Sequence, residues 1–72
     1  MSKTSERIKA LRLQSGLSAD ELGRRIGKNR ATVYRYESDD IENMPVSILQ
    51  PLSDALHTTP EYLMGWTDEA SP

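Results

Sequence analysis

The sequence predicts an all-α fold, a compact bundle of five short helices, and three observations lead to this prediction. First, the chain has 72 residues and no cysteine, so it is near the lower size limit for a domain that builds its own core without disulfides. Second, apolar residues recur at spacings of three and four, and no segment alternates convincingly as a strand would. Third, capping residues and glycines bound these apolar segments, so each helix has its own start and stop signals.

The first predicted helix runs from about Ser5 to Ser15, with Glu6 in its first turn. Gly16 follows it, and glycine at this position commonly ends a helix because it adopts the left-handed conformation easily. The predicted inward-facing apolar residues are Ile8, Leu11, Leu13 and, just after the stop, Leu17.

Two short helices joined by a tight turn are predicted over residues 19–38. Ser18 is followed three residues later by Glu21, which forms a capping box at the start of helix two, and Asn29 can cap helix three. Gly27 lies in the turn, where φ is expected to be positive. Gly23 lies on the inner side of helix two, where a Cβ would crowd the incoming helix three.

The apolar spacing defines which face of each of these helices is buried. Leu22 and Ile26 lie four residues apart on one face of helix two. Val33 and Tyr36 lie three residues apart on one face of helix three, so the two pairs can pack together. The opposite face of helix three is then free to enter a DNA major groove, as in a helix-turn-helix. Its predicted outward-facing residues are Asn29, Arg30, Ala31, Thr32, Tyr34 and Arg35.

The charge of the chain is divided between its two halves. Residues 1–38 carry nine Lys and Arg against four acids, a net of +5, whereas residues 39–72 carry seven acids and no Lys or Arg, a net of −7. The overall charge of −2 would oppose a polyanionic partner, but the basic half contains the predicted DNA-reading helix. The alternative is that the charges segregate by chance, or that the acidic half only aids solubility.

Residues 38–44 are predicted to form a loop, and helix four follows it. Pro51 would interrupt the interior of a helix that began at Pro45, so the predicted start is Ser47, which forms a second capping box with Gln50. The predicted buried residues of this helix are Ile48, Leu52, Ala55 and Leu56.

Helix five is predicted to begin with Thr59 as its cap and Pro60 at its first position, and to end at Gly65. His57 is placed in a surface connection before it, not in a metal site. The polar residues 67–72 are predicted to be frayed. The packing residues of helix five are Tyr62, Leu63 and Met64.

Three stretches of the chain, GLSADELG (16–23), IGKNRATVYRYE (26–37) and ALHTTPEYLMGW (55–66), resemble the Cro and lambda-repressor type of helix-turn-helix family, also called Xre. The last stretch is similar to repressors of temperate phages of Gram-positive bacteria. The resemblance implies a five-helix DNA-binding domain over residues 1–66 that binds operator DNA as a homodimer and represses transcription. Residues 67–72 are then a polar tail that could begin a linker to a further domain.

The resemblance also implies roles for individual residues. Arg30 and Ala31 would be the leading base readers, with Arg35 one turn further along. Arginine suits bidentate contact with guanine O6 and N7, and an alanine methyl can touch the methyl of thymine. The alternative is that Arg30 and Arg35 are solvated surface charges. The further implied DNA contacts are Thr32 and Tyr34 to bases or phosphates, and Ser18, Ala19, Lys28 and Asn29 to the DNA backbone.

Two more contacts follow from the resemblance. Arg12 is expected to pair with Glu37, which would orient helix three. Trp66 is expected at a dimer contact with Pro60 and Met64, and the alternative makes Trp66 a lid on the core of its own subunit.

The chain departs from the common pattern of the family at several positions, and these departures predict modest, strongly salt-dependent affinity or a loop that points away from DNA. The departures are Ala19 in place of Gln, Gly23 in place of Ala, Lys28 in place of an apolar residue, and the acidic Asp39, Asp40 and Glu42 in the loop after helix three.

Composition argues against enzymatic function, because the chain has one His, no Cys and no recognisable acid pair or nucleophile. No cofactor or metal is expected, and no apolar run approaches a membrane span, so a cytoplasmic protein is expected. The expected partners are operator DNA, a second copy of the chain and an antirepressor protein. The alternatives to a phage-type repressor domain are a complete small Cro-like regulator or antitoxin, and a helical adaptor that binds protein instead of DNA.

Overall fold

The structure is a computed structural model that describes residues 3–38 and 44–70. These residues form five α-helices and no β-strand, which confirms the all-α prediction. The helices are α1 (Lys3–Gln14), α2 (Ala19–Ile26), α3 (Arg30–Ser38), α4 (Val46–Ala55) and α5 (Pro60–Leu63).

Helix α1 starts two residues before the predicted boundary and ends where the sequence indicates. Gly16 has a φ of 70°, and the N–H of Leu17 donates to the carbonyl of Arg12 at 3.1 Å, so a left-handed glycine closes the helix. Leu13 is 59% exposed, and its predicted inward orientation is wrong. At 3.6 residues per turn it lies about 140° around the helix from the buried Ile8, and Arg12 takes the inward position instead.

The junction between α2 and α3 has the predicted caps. The Ser18 hydroxyl accepts the Glu21 N–H at 3.1 Å, and the Glu21 carboxylate accepts the Ser18 N–H at 3.1 Å. Hydrogen bonds to the Glu21 carboxylate from Ser18, first from its backbone N–H and then from its hydroxyl, lower the pKa of Glu21. Gly27 has a φ of 74°. A Cβ on Gly23 would lie 2.7 Å from the carbonyl oxygen of Lys28, so the predicted crowding is present. The atoms nearest to that Cβ belong to Lys28 and Asn29, in the turn before α3, and not to α3 itself.

The core is a single cluster to which all five helices contribute. Helix α2 packs against α3 and α4, and α1 packs against α3 and α5. One side of α3 therefore packs in the core, and its opposite side is exposed to solvent. The buried apolar residues are Ile8, Leu17, Ala19, Leu22, Ile26, Val33, Tyr36, Ile48, Leu52, Ala55, Leu56 and Leu63.

Helix α4 differs from the prediction at its start. It begins at Val46 after Pro45, and no side chain caps it. The predicted capping box is wrong, because the Gln50 amide donates to the Asp54 carboxylate at 2.9 Å instead of turning back. Pro51 therefore lies inside the helix, where its missing N–H removes one helical hydrogen bond. Most of the predicted loop at 38–44, with Asp39, Asp40 and Glu42, lies outside the described residues.

Helix α5 forms as predicted, but residues 67–70 are not frayed. The Thr59 hydroxyl accepts the Tyr62 N–H at 3.1 Å, and Gly65 has a φ of 79°. The next residues fold back on the domain, because Arg7 donates to the Thr67 carbonyl at 2.7 Å. The Thr58 hydroxyl likewise donates to the carbonyl of residue 70 at 2.6 Å. Side-chain donors from distant elements thus fix a segment whose own sequence shows no periodicity.

His57 is the one non-glycine residue with positive φ in the described part of the chain, at 56°. It is exposed and closes α4, with its N–H donating to the Asp54 carbonyl at 3.3 Å. A left-handed conformation costs a residue with a Cβ about 1–2 kcal/mol, whereas glycine adopts it freely but loses more entropy on folding. We expect His57→Gly to raise the free energy of unfolding by about 0.5–1 kcal/mol, measured by urea denaturation. His57→Ala keeps the Cβ and should give no such gain.

Candidate nucleic-acid interface

The outward side of α3 presents the residues that the sequence places there. Arg30, Ala31 and Arg35 are exposed, and Tyr34 is 53% exposed. Val33 and Tyr36, on the other side of the helix, are buried in the core. The two sides of α3 therefore have separate tasks, because the buried side attaches the helix to the domain while the exposed side is available for a partner.

The first turn of α3 is held by Asn29, whose side-chain oxygen accepts the Thr32 N–H at 2.9 Å and the Thr32 hydroxyl at 3.1 Å. This cap fixes where Arg30 and Ala31 begin. It also restricts what the two capping side chains can offer to a ligand. Asn29 retains its amide N–H groups as donors, and Thr32, which is half-buried, retains its methyl group and hydroxyl lone pairs.

At the start of α2, Ser18 and Ala19 differ in their exposure to solvent. Ser18 is exposed, and its backbone N–H and its hydroxyl are both engaged in the capping box with Glu21. Ala19 is only 3% exposed and belongs to the core, so its side chain cannot contact DNA in this arrangement. Any contact by Ala19 would have to come from its backbone N–H at the positive end of α2.

The exposed cations around α3 are largely unpaired. Arg30 lies 3.7 Å from Asp20, measured from Nη1 to Oδ2. The other exposed cations of this region form no ion pair within residues 3–38 and 44–70, so the surface keeps most of its positive charge. These cations are Arg24, Arg25, Lys28 and Arg35. The same described residues contain no cluster of three or more His, Cys, Asp or Glu that could hold a metal ion.

A buried ion pair holds α3 against α1. Arg12 donates from Nε to Glu37 at 2.5 Å and from Nη2 to the same carboxylate at 3.2 Å, and both side chains are less than a tenth exposed. A third hydrogen bond joins Nη1 to the carbonyl of Leu17 at 3.0 Å. The hydrogen bonds that Arg12 donates to the Glu37 carboxylate raise the pKa of Arg12 in spite of its burial. The pair joins the end of α3 to the end of α1, as the sequence resemblance implies.

Comparison with known proteins identifies the family to which this domain belongs. A family model described as helix-turn-helix (HTH_3) matches residues 8–63, which include most of the chain. The chain belongs to this helix-turn-helix family. The domain is also 45% identical over 47 residues to a protein of Pyrobaculum aerophilum that carries the name of an HTH-type transcriptional regulatory protein. That match covers 65% of the chain but only 18% of the relative, so the chain spans about a fifth of that protein's length.

The helix-turn-helix domain has the fold of a solved repressor. It superposes on the P22 c2 repressor, crystallised with synthetic operator 9T in the presence of Tl⁺, with a TM-score of 0.76 and 30% sequence identity. The superposition covers 88% of this chain and 94% of the repressor chain. Among the helices of the described residues, none has the length and apolarity needed to cross a bilayer.

Arg7, which the sequence patterns did not single out, joins α1 to the segment after α5 of the helix-turn-helix domain. Arg7 Nη1 donates to the carbonyls of Tyr62 at 2.6 Å and Thr67 at 2.7 Å, and Nη2 contacts Asp68 at 2.8 Å. Its guanidinium also lies 3.9 Å from the centroid of the Tyr62 ring. No local signal identifies Arg7, because each of these partners lies at least 55 residues away in the chain.

The apolar surface of the domain includes the three residues expected at a dimer contact. Trp66 is 72% exposed, so the alternative in which it covers its own core is wrong. Pro60 and Met64 are half-buried. A largely exposed tryptophan is uncommon in a monomeric surface and is typical of interaction sites.

Proposed function

We propose that this helix-turn-helix domain binds operator DNA as a homodimer and represses transcription, as a phage-type repressor does. The observation that carries the proposal is the exposed cationic side of α3, which the fold does not need for its own stability. The two elements that a helix-turn-helix directs at DNA, α3 and the N-terminus of α2, lie in the basic half of the chain. The repressor with the matching fold is named with its operator, which supports the same use of this surface.

In this proposal the exposed residues divide into two groups by chemistry. Arg30 and Ala31 read bases first, because they begin the helix that enters the groove, and Arg35 follows one turn later. Thr32 and Tyr34 are assigned to bases or phosphates, Tyr34 from the exposed side of α3 and the half-buried Thr32 from the edge of that side. The residues assigned to phosphate alone are Lys28, Asn29, Ser18 and the backbone of Ala19.

The homodimer is proposed to form through Trp66, with Pro60 and Met64 beside it. Helix α5 packs against α1 and α4, and the exposed Trp66 follows three residues after its end, outside the reading surface, by which we mean the exposed side of α3. A contact there would leave α3 of each copy free for its own half-site. Two-fold symmetry of the protein would then appear as a palindromic operator. An antirepressor protein that competes for either surface would relieve repression.

The test is selection of bound duplexes from a random DNA pool, followed by titration of the selected duplex. We expect a symmetric consensus, and we expect Arg30→Ala to weaken binding by about 1–3 kcal/mol and to relax preference at one base pair of each half-site. The affinity should fall steeply as salt rises.

The matched control for this test is Lys28→Ala, which removes a neighbouring exposed cation. It should weaken binding to all sequences about equally and reduce the salt slope by about one, because Lys28 is assigned to phosphate. An unselected pool, or equal binding by the wild type and Arg30→Ala, would instead favour a helical adaptor that binds protein. A single asymmetric site would contradict the homodimer alone.

A further inference from the structure

The one acidic side chain paired with a DNA-facing arginine in the described residues is Asp20. Its carboxylate lies in the first turn of α2, and Arg30 is the first residue of α3. The Oδ2–Nη1 distance of 3.7 Å is short enough for an ion pair and too long for a hydrogen bond. Both side chains are more than half exposed, at 57% for Asp20 and 69% for Arg30.

The backbones that carry the two charges are held firmly relative to each other. The capping box of Ser18 and Glu21 fixes the start of α2, and the Asn29 cap fixes the start of α3. Between them, the Lys28 N–H donates to the Gly23 carbonyl at 2.7 Å. The helix-turn-helix therefore sets the separation of the two backbones, and within it the exposed side chains of Asp20 and Arg30 come within 3.7 Å.

In water this pair contributes little to stability, since solvent and salt screen exposed charges. The position of Asp20 becomes consequential when DNA excludes that solvent. A carboxylate at the edge of the reading surface then lies in the field of the phosphates, and its interaction with Arg30 strengthens because the local dielectric falls. Arg30 loses no donor to the pair beforehand, since no hydrogen bond joins the two side chains.

Two modes of binding use Arg30 differently. On a sequence that offers guanine in reach, the guanidinium can use one edge for O6 and N7 and remain next to Asp20. On a sequence without that guanine, the long side chain could reach a phosphate only by leaving Asp20 unpaired beside the polyanion, so in the wild type it stays beside Asp20 instead. The second mode therefore carries an electrostatic penalty that the first mode does not.

We propose that Asp20 is a specificity-determining residue that acts through Arg30 by penalising the mode in which Arg30 contacts phosphate. This inference rests on the proposed DNA binding of α3 and adds to it an acidic residue that disfavours unrelated sequences. Asp20 is thus a positioning residue for Arg30, and its removal changes discrimination more than affinity for the operator.

The test is Asp20→Asn, titrated against the selected duplex and against a duplex of unrelated sequence at several salt concentrations. We expect binding to unrelated DNA to strengthen about tenfold and binding to the selected duplex to change by less than about threefold, so discrimination falls. The slope of log K against log salt for unrelated DNA should steepen by about 0.9, because Arg30 gains a phosphate contact.

Two controls separate this effect from a general loss of negative charge. Glu69→Gln makes the same change in net charge at an exposed carboxylate that has no ion pair within the described residues, and it should leave discrimination unchanged. In an Arg30→Ala background, Asp20→Asn should strengthen binding to both duplexes by the same factor. Circular dichroism should show unchanged helicity for each variant.

The inference is overturned if Asp20→Asn strengthens binding to both duplexes equally in the wild-type background, which is the result of simple repulsion between a carboxylate and phosphate. It is also overturned if the salt slope for unrelated DNA does not change. Failure of the proposed function has a different signature, since Arg30→Ala alone would then leave binding to the selected duplex unaltered.

Discussion

Arg12→Ala should lower the free energy of unfolding by about 3–5 kcal/mol, the usual cost of removing one partner of a buried ion pair. The variant leaves the Glu37 carboxylate buried without its two guanidinium donors and leaves the Leu17 carbonyl without a third. Since small domains are stable by about 5–15 kcal/mol, this loss would leave a substantial unfolded fraction at moderate temperature. Urea denaturation followed by circular dichroism measures it directly.

The double variant Arg12→Met, Glu37→Leu separates the cost of an unpaired charge from the value of the pair. Replacing both charges by apolar side chains of similar size is often close to neutral, so we expect the double variant to recover most of the stability lost in Arg12→Ala. A double variant as unstable as the single one would show that the geometry of the three hydrogen bonds, and not charge compensation, supports α3. Unchanged stability in Arg12→Ala would contradict the structural role altogether.

The proposed DNA binding should also weaken in Arg12→Ala, although Arg12 itself is buried. Glu37 is near the end of α3, so its pairing with α1 restrains the orientation of the helix that carries Arg30 and Arg35. Binding measured at a temperature where the variant is still folded should be weaker for all sequences. A change of sequence preference is not expected from this variant.

The second large effect is expected at Arg7. Arg7→Ala removes the donor of two carbonyls, the ion pair with Asp68 and the contact with the Tyr62 ring. We expect a loss of about 2–3 kcal/mol in the free energy of unfolding, mostly from the two partly buried carbonyls, since the exposed ion pair contributes little. Arg7→Lys keeps one charge but cannot reach all three partners in the same plane, so it should recover only part of the loss.

The pKa of Asp68 provides an independent measurement for the same variant. It lies below the usual value of 3.8 because Arg7 and, secondarily, Lys3 interact with the carboxylate. A folded-state pKa below the unfolded one stabilises the protein above the unfolded pKa, and this stabilisation is lost as the pH falls through the folded pKa. In Arg7→Ala the pKa should rise toward 3.8, as followed by the side-chain carboxyl resonance in an NMR titration. A pKa that does not move would show that Lys3 alone accounts for the shift.

Local sequence signals predicted the helices well wherever the hydrogen bonds are short in range. Each of the correctly predicted helix ends depends on partners within about four residues, so a short sequence motif can indicate it. These ends are the capping box at Ser18, the Asn29 cap, the Thr59 cap and the left-handed glycines. The same local logic failed at Ser47 and Gln50, because Pro45 starts the helix earlier and Gln50 finds Asp54 one turn onward. A motif of two residues does not exclude a competing partner.

The exposed side of α3 was predictable as a set of residues but not as a geometry. The spacing of Val33 and Tyr36 assigned the buried side of α3 and hence the exposed one. It could not show that Ala19 lies in the core or that the side chain of Asp20 lies beside Arg30. These facts depend on how α2 crosses α3, which is a property of the packed pair.

The sequence by itself determined the all-α class, the helix-turn-helix and the polarity of charge along this chain, because periodicity, caps and composition are local quantities. Only the tertiary structure decided that Arg7 fixes residues 67 and 68 and that Trp66 stays exposed. The hydrogen bonds of Arg7 join residues more than 50 positions apart, and the exposure of Trp66 depends on how the neighbouring helices pack. A side chain that donates to a distant carbonyl has the same local sequence as one that donates to water. Its hydrogen-bond partner is therefore determined only when the chain has folded.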